Sequence, residues 1–386
     1  MKYLFKRDTL LVTVSIFILI GLILSLPFNF HFMEPIKNVL YDFDYTDLSY
    51  AQLNRVDAPF DDRVVIVNVG DADRAGIAAI LSKLNAMHPK VIGVDLLFEK
   101  LKDPQQDSVL RESIKNIPDL VLANRVTDTS LTGVFNSWAA YNGYANFYGE
   151  KGSVVRYFAP LKNYKGVPVK SFSGAIMSIA YPKAYAKLRK RDKRVEMINY
   201  KRHQSKYLVI NYRDLFANKV AEESIKDKII LVGFVSDNPN DIEDKHYTPM
   251  NEKFLGKSIP DTYGVVIHAN IISMILDRDY VHCLHLWQNW FLAVLLGWIY
   301  IAIFMRHFID KHIWFHLVVG LIELVSAVLF IFITIVMFND FNVKIDMTPT
   351  LGIIIISAEV LYFYHGVAVW LYKKYNYKTI FYKPEH

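Results

Sequence analysis

Long apolar runs and short alternating ones divide this chain into two kinds of territory. Four runs are long enough to cross a bilayer, which takes about 20 apolar residues. They are 9–26, bounded by Pro27, then 287–305, 313–338 and 350–372. Between the first and second the pattern changes to that of a water-soluble domain. Residues 64–69 are a β-branched run ending in Gly70-Asp71, as in a buried strand. Ile77, Ile80, Leu81 and Leu84 recur on one helical face, which predicts a helix over 73–87 with Asp73 as its cap. Pro89 stops it. A second strand follows at 91–95, a second helix at 104–116 and a third strand at 120–123. This order implies parallel strands joined by right-handed crossovers. The strands are apolar on both faces, so the sheet should be covered on both sides. Further on, 153–160 reads as a strand, 172–188 as one helix, 207–211 and 228–233 as strands, and 264–276 as a helix. Residues 238–257, with Pro239, Pro249 and Gly256, read as a long loop. The fold class is therefore α/β, a largely parallel mixed sheet with flanking helices, plus four transmembrane α-helices.

Composition sharpens this picture. Hydrophobic residues make up 53% of the 386, and the formal net charge is +6. A mean hydropathy of +0.18 excludes a disordered chain. It is also low for a chain that is membrane throughout. The one cysteine, Cys283, excludes an internal disulfide and an all-cysteine zinc site. Basic residues cluster at Lys2, Lys6 and Arg7, at Arg306 and Lys311, and at Lys373, Lys374, Lys378 and Lys383. With four spans, the positive-inside rule puts all three clusters in the cytoplasm. The expected layout is a cytoplasmic N-terminus (1–8), an anchor (9–26), an outer domain (27–286), three spans (287–372) and a basic cytoplasmic tail (373–386). The anchor should be uncleaved, because its apolar run exceeds a signal-peptide core and no small-x-small site follows. Much of the positive charge flanks the membrane, so no nucleic-acid partner is expected.

Several motifs in the outer segment occur in a recognisable order. They are Tyr41-Asp42, the strand and acidic end at 64–73, and Lys90-Val91-Ile92-Gly93-Val94-Asp95-Leu96-Leu97-Phe98. Gly152 and Arg156 stand in a G-x-x-x-R step, and a small-residue helix region covers 171–180. The strand at 226–233, Asp244, Thr248-Pro249 and the element Gly264-Val265-Val266-Ile267-His268-Ala269-Asn270 complete the order. Over roughly 35–278 this order resembles the CHASE2 domain, an extracytoplasmic sensory module of bacterial membrane proteins. Three spans after the domain are similar to the family's usual arrangement. The resemblance implies a bacterial inner-membrane protein with a periplasmic domain. Two departures stand out. The loop at 70–74 is short and lacks the family's tryptophan. No kinase, cyclase or similar output domain follows the last span, so an intracellular signal is expected to need a separate partner.

Ligands of open parallel sheets bind beyond the carboxyl ends of the strands. Asp71, Asp73, Asp95, Arg125 and Asp237 follow or end four of the strands. Together they would suit a cation or an amine, with Arg125 as balance or as a carboxylate clamp. The ordinary alternative is that they cap helices and fasten loops. The acidic stretch from Asp237 to Asp244 fails the EF-hand pattern, having Ile242 and Thr248 where Gly and Glu are required. His282, Cys283 and His285 lack an evident fourth metal ligand. No metal site, cofactor or catalytic set is expected: there is no G-x-S-x-G, H-E-x-x-H or Walker loop. In the membrane, Glu323 and Glu359 lie about 10 and about 9 residues inside their spans, near the midplane at 1.5 Å per residue. A carboxylate there must be neutral, wet or protein-facing. This points to assembly or coupling, or to a protonated pair between helices. The expected function is to detect an envelope ligand or protein and to couple to a separate membrane or periplasmic partner. The alternative is a docking subunit of a larger envelope complex. The bilayer is the other partner, and a homo-oligomer is left open.

Overall fold

The computed structural model describes residues 3–25, 44–53, 56–127, 130–147, 153–236, 238, 241–251, 259–310 and 315–381. The chain forms two compact units. One is Asn38–Val281; the other combines Met1–Lys37 with His282–His386.

In the second unit named, four helices carry the apolar runs: α1 (Arg7–Ser25) and, after the soluble unit, the three long helices described below. The soluble unit opens with α2 (Tyr45–Gln52). It continues through β1 (Asp61–Asn68), α3 (Arg74–Asn85), β2 (Val91–Val94), α4 (Pro104–Lys115), β3 (Leu120–Val126), β4 (Leu131–Thr132) and β5 (Tyr141–Tyr144). Next come β6 (Tyr157–Phe158), the hairpin β7 (Leu161–Tyr164) and β8 (Val167–Lys170), α5 (Phe172–Ala180), α6 (Pro182–Lys190) and β9 (Glu196–Met197). The unit closes with β10 (Tyr207–Asn211), α7 (Tyr212–Phe216), β11 (Ile229–Gly233), β12 (Lys245–His246), β13 (Thr262–Tyr263) and α8 (Gly264–Asp277).

The main sheet runs β10-β1-β11-β2-β3, with β5 parallel and β4 antiparallel to β3. The other pairings on this path are parallel, so the sheet is mixed and largely parallel. Alternation assigns its two faces. Val65, Val67, Ile92, Val94, Ile230 and Val232 join Ile80, Leu81 and Leu84 of α3 and Leu110 and Ile114 of α4 in one core. The opposite face meets α5 and α8. There α5 comes so close to β2 that a Cβ on Gly93 would lie 2.5 Å from Ile176 Cδ1. Caps set where the helices begin. Asp73 accepts from Gly76 N at 2.8 Å, and Asp103 accepts from Gln105 N and Gln106 N with Pro104 behind it. Among the described residues, Arg74 pairs in the interior with Asp107 between α3 and α4, and Arg156 with Asp47 of α2 at 2.9 Å.

Two expected elements differ. The helix foreseen over 172–188 is two helices, divided at Tyr181. Pro182 has no N–H to continue α5 and instead takes the first-turn position of α6. The strand foreseen over 153–160 is confined to Tyr157–Phe158. Val155 N donates instead to Tyr247 O in a loop.

The other unit contains α9 (Leu286–Asp310), α10 (Phe315–Phe341) and α11 (Thr348–Tyr375), with short strands β14 (His282–Cys283) and β15 (Val343–Lys344) paired in parallel. Among the described residues three helices are long and apolar enough to cross a membrane: Leu286–Ile309, His316–Phe341 and Thr348–Tyr375. That is three where the sequence suggested four. The first run is helical, but α1 has 19 residues and is not among them. It packs on α9 and α11 through Val12 and Ile16. Its Asp8 accepts from Tyr364 Oη at 2.8 Å and from Ile380 N at 3.1 Å. Gly297 lets α9 approach α11: a Cβ there would sit 2.5 Å from Ile353 Cγ2.

Candidate functional site

The carboxyl edge of the sheet scatters the expected rim. Asp71 lies on the surface and fixes the β1 loop to the start of α7: Tyr212 Oη donates to it at 2.6 Å and Arg213 at 3.0 Å. The Tyr212 hydroxyl, then the Arg213 charge, hold its carboxyl below the usual range. Asp73 caps α3. Arg125 forms an exposed pair with Glu99 at 2.9 Å. Asp237 lies outside the described residues.

Asp95 is different. It follows β2 directly, and its N–H donates to Val232 O at 2.8 Å, so the backbone stays beside β11 while the side chain turns inward. Three further titratable groups meet it there. Asp244 sits in the left-handed region (φ 56°) just before β12. His246 lies on β12, which pairs antiparallel with β13. His268 projects from the second turn of α8. His268 Nε2 is 3.9 Å from Asp95 Oδ1, buried, and without a hydrogen-bond partner. His268 Nδ1 shares a proton with Ser173 Oγ of α5 at 3.0 Å.

The missing side chain of Gly264 marks the centre of the group. A Cβ there would stand 3.5 Å from Asp244 Oδ2, 3.6 Å from Asp95 Oδ2 and 3.6 Å from His246 Nε2. Aromatic rings close the cluster. Phe147 stacks on His268 with centroids 5.1 Å apart and meets His246 edge-on at 4.7 Å. Phe172 meets the His268 ring edge-on at 5.0 Å.

Among the described residues no cation pairs with Asp95 or Asp244, and desolvation is the largest influence on both. Desolvation, then the Asp244 charge, push Asp95 up to about 8. Desolvation, then Glu243, push Asp244 to about 6. Desolvation, then His246, drive His268 down to about 3, and burial lowers His246 as well. Near neutral pH both imidazoles are uncharged and Asp95 holds its proton. The chemistry within reach is storage and movement of a proton between buried His268 and exposed Asp244 at the surface. Among the described residues no group of three or more His, Cys, Asp or Glu is arranged to hold a metal ion.

Sequence reasoning found Asp95 and named His268 within the element 264–270. It passed over His246 and Phe147. The membrane glutamates are in the other unit. Glu323 on α10 has a buried Oε1 with no hydrogen-bond partner, and Glu359 on α11 is exposed.

Searches among curated proteins and among solved structures each find no match. The model of the CHASE2 domain matches residues 14–304, from within α1 to within α9. The match covers the whole α/β unit with its acid–histidine cluster, and the chain belongs to the CHASE2 family of extracytoplasmic sensory domains.

Proposed function

We propose that this protein is a sensor of the bacterial inner membrane. Its α/β unit lies in the periplasm, binds an envelope ligand or protein, and couples to a separate partner through the membrane helices. The observation that carries this reading is the insertion of a sensory-family domain between an apolar N-terminal helix and three helices of membrane-spanning length. On this reading α1 is a fourth span: its 19 residues extend about 28 Å at 1.5 Å each, and both termini are cytoplasmic. Coupling requires that the ligand favour one of two conformations of the protein.

A second reading, a docking subunit of a larger envelope complex, draws on the glutamates. Glu359 is exposed on an otherwise apolar helix. Facing lipid it would cost several kcal/mol, about 2.5–3.5 on insertion scales for Asp, so a covering protein surface accounts for it best. Purification of the tagged full chain from its native membrane in mild detergent, with mass spectrometry of what is retained, tests both. A stoichiometric partner at every step supports the docking subunit. A chain recovered alone, and stabilised against heat by a periplasmic extract, supports the free-standing sensor. Recovery alone with no response to any envelope component would sink both.

A further inference from the structure

Residues 183–194 carry seven cations and one acid: Lys183, Lys187, Arg189, Lys190, Arg191, Lys193 and Arg194 against Asp192. Some are accounted for locally. Cations at the end of α6 suit its dipole. Arg191 and Lys193 flank the buried carboxylate of Glu196 at 2.6 and 3.9 Å. Arg189 and Arg194 have no carboxylate within ion-pair distance among the described residues. Both line a cavity of about 890 Å³. Its other walls come from the β7–β8 hairpin, which contributes Lys162, and from the end of β5 and the residues after it, which contribute Tyr144 and Phe147. The volume lies within the range of small-molecule sites, roughly 300–1,000 Å³. The lining brings together Lys162, Arg189, Lys193 and Arg194 against the single acid Asp192. Such an excess of positive charge in a concave site, with guanidinium groups unengaged, favours an anion with several oxygens. The rings of Tyr144 and Phe147 would cover its less polar part.

We propose that this cavity binds a small polyanion carrying two or more phosphate or carboxylate groups. The proposal rests on the sensor reading and names the chemistry of its ligand. Phe147 makes the site more than a surface patch, since the same ring that lines the cavity lies on His268.

The test uses the full chain in detergent at low ionic strength, titrated calorimetrically with pyrophosphate and with citrate. Saturable binding of at least one probe is expected. Arg189→Gln/Arg194→Gln should weaken it about tenfold or more. Lys187→Gln/Lys190→Gln, on exposed positions of the same helix outside the cavity, should leave it within about twofold. The single variant Arg194→Gln, at an exposed position, gives the same reading at smaller amplitude if the double variant fails to fold. Repeating the titration in nanodiscs of phosphatidylcholine or phosphatidylglycerol separates two sources of the anion. Equal affinity in both identifies a free solute. Competition in phosphatidylglycerol alone, relieved by Arg189→Gln/Arg194→Gln, identifies the lipid headgroup phosphate. Absence of saturable binding of either probe, or equal losses in the two double variants, overturns the proposal. A chain that binds neither probe but is stabilised against heat by a periplasmic extract keeps the sensor reading intact.

Discussion

Replacing Asp95 by Asn should raise stability, and by more as the pH rises towards 8. In the folded protein burial and Asp244 hold the Asp95 carboxyl near 8, against about 3.8 when the chain is unfolded. Between those values the folded state binds more protons, so stability from this group is lost as pH increases and the loss is complete above about 8. One proton of difference costs about 1.36 kcal/mol per pH unit. From pH 6.5 to 8, allowing for half-ionisation at the upper end, the loss is on the order of 1.5–2 kcal/mol. The other groups must be separated from it. Asp244, raised to about 6, has spent nearly all of its effect by pH 6.5. His268, lowered to about 3, and His246 act the opposite way. Their folded pKa values lie below the unfolded 6.5, so they add stability as pH rises towards and just past that value. Both contributions are common to wild type and Asp95→Asn and cancel in the comparison.

The amide is nearly isosteric with the protonated acid and cannot ionise. The two should match closely only below about pH 3.8, where the acid is protonated in both states. At pH 6.5 the unfolded acid is ionised while the folded one keeps its proton, so the variant should already be the more stable, and by pH 8 its advantage should have grown further. The assay is hydrogen exchange of the full chain in detergent, followed by mass spectrometry on peptides covering β2 and α8 and corrected for the intrinsic pH dependence of exchange. The growth of the stability difference between pH 6.5 and pH 8 corresponds to about a 10- to 30-fold increase in the ratio of the two exchange rates, the variant being the slower. Parallel loss of protection in both proteins across the window would refute the reasoning. So would a variant already weaker at pH 6.5, because that would mean the carboxyl is charged and paired.

Other predictions concern packing, topology and assembly. Gly143→Ala places a Cβ 2.5 Å from Phe172 Cα, a backbone atom that cannot step aside; a loss on the order of 1–3 kcal/mol should appear as a lower thermal midpoint of the full chain. Asp47→Ala removes the carboxylate that takes two hydrogen bonds from Arg156, whose side chain is only 8% exposed, and should cost about 3–5 kcal/mol; replacing both by apolar residues of similar volume should recover most of it in urea unfolding. Cys283, the only cysteine, lies between the α/β unit and α9; a membrane-impermeant maleimide should label it in intact spheroplasts, and labelling only after lysis would reverse the proposed orientation. Glu359→Gln should insert normally yet lose any co-purifying membrane partner, and unchanged retention would remove the glutamate from assembly.

How much of this could be read along the chain follows from how local each signal is. The strands β1, β2, β3 and β11 were legible because both faces are buried, which writes an uninterrupted apolar run between turn residues. The edge strand β5 was not. Its sequence Tyr-Asn-Gly-Tyr has no β-branched residue, and its glycine answers to the approach of Phe172, a tertiary fact. The break between α5 and α6 was available in Pro182, but the helical spacing of apolar residues on either side hid it.

The acid–histidine cluster was the least legible part for a reason built into parallel sheets. Successive strands are separated by whole crossovers, so groups that share one carboxyl edge come from distant points in the chain. Asp95 lies at one crossover, Asp244 and His246 in an extended connection, and His268 on the helix after it. No spacing rule joins them. Only the pairing of β2 with β11, the antiparallel contact of β12 with β13 and the side-chain-free start of α8 at Gly264 do so. The residues that sequence reasoning gathered into one rim separate for the converse reason. Asp71 and Arg125 carry exposed side chains near the ends of buried strands and find oppositely charged neighbours, Arg213 and Glu99, within reach. Asp95 finds only other acids and neutral imidazoles. Its carboxyl therefore keeps its proton near neutral pH, while that of Asp71 is held ionised beside Tyr212 and Arg213.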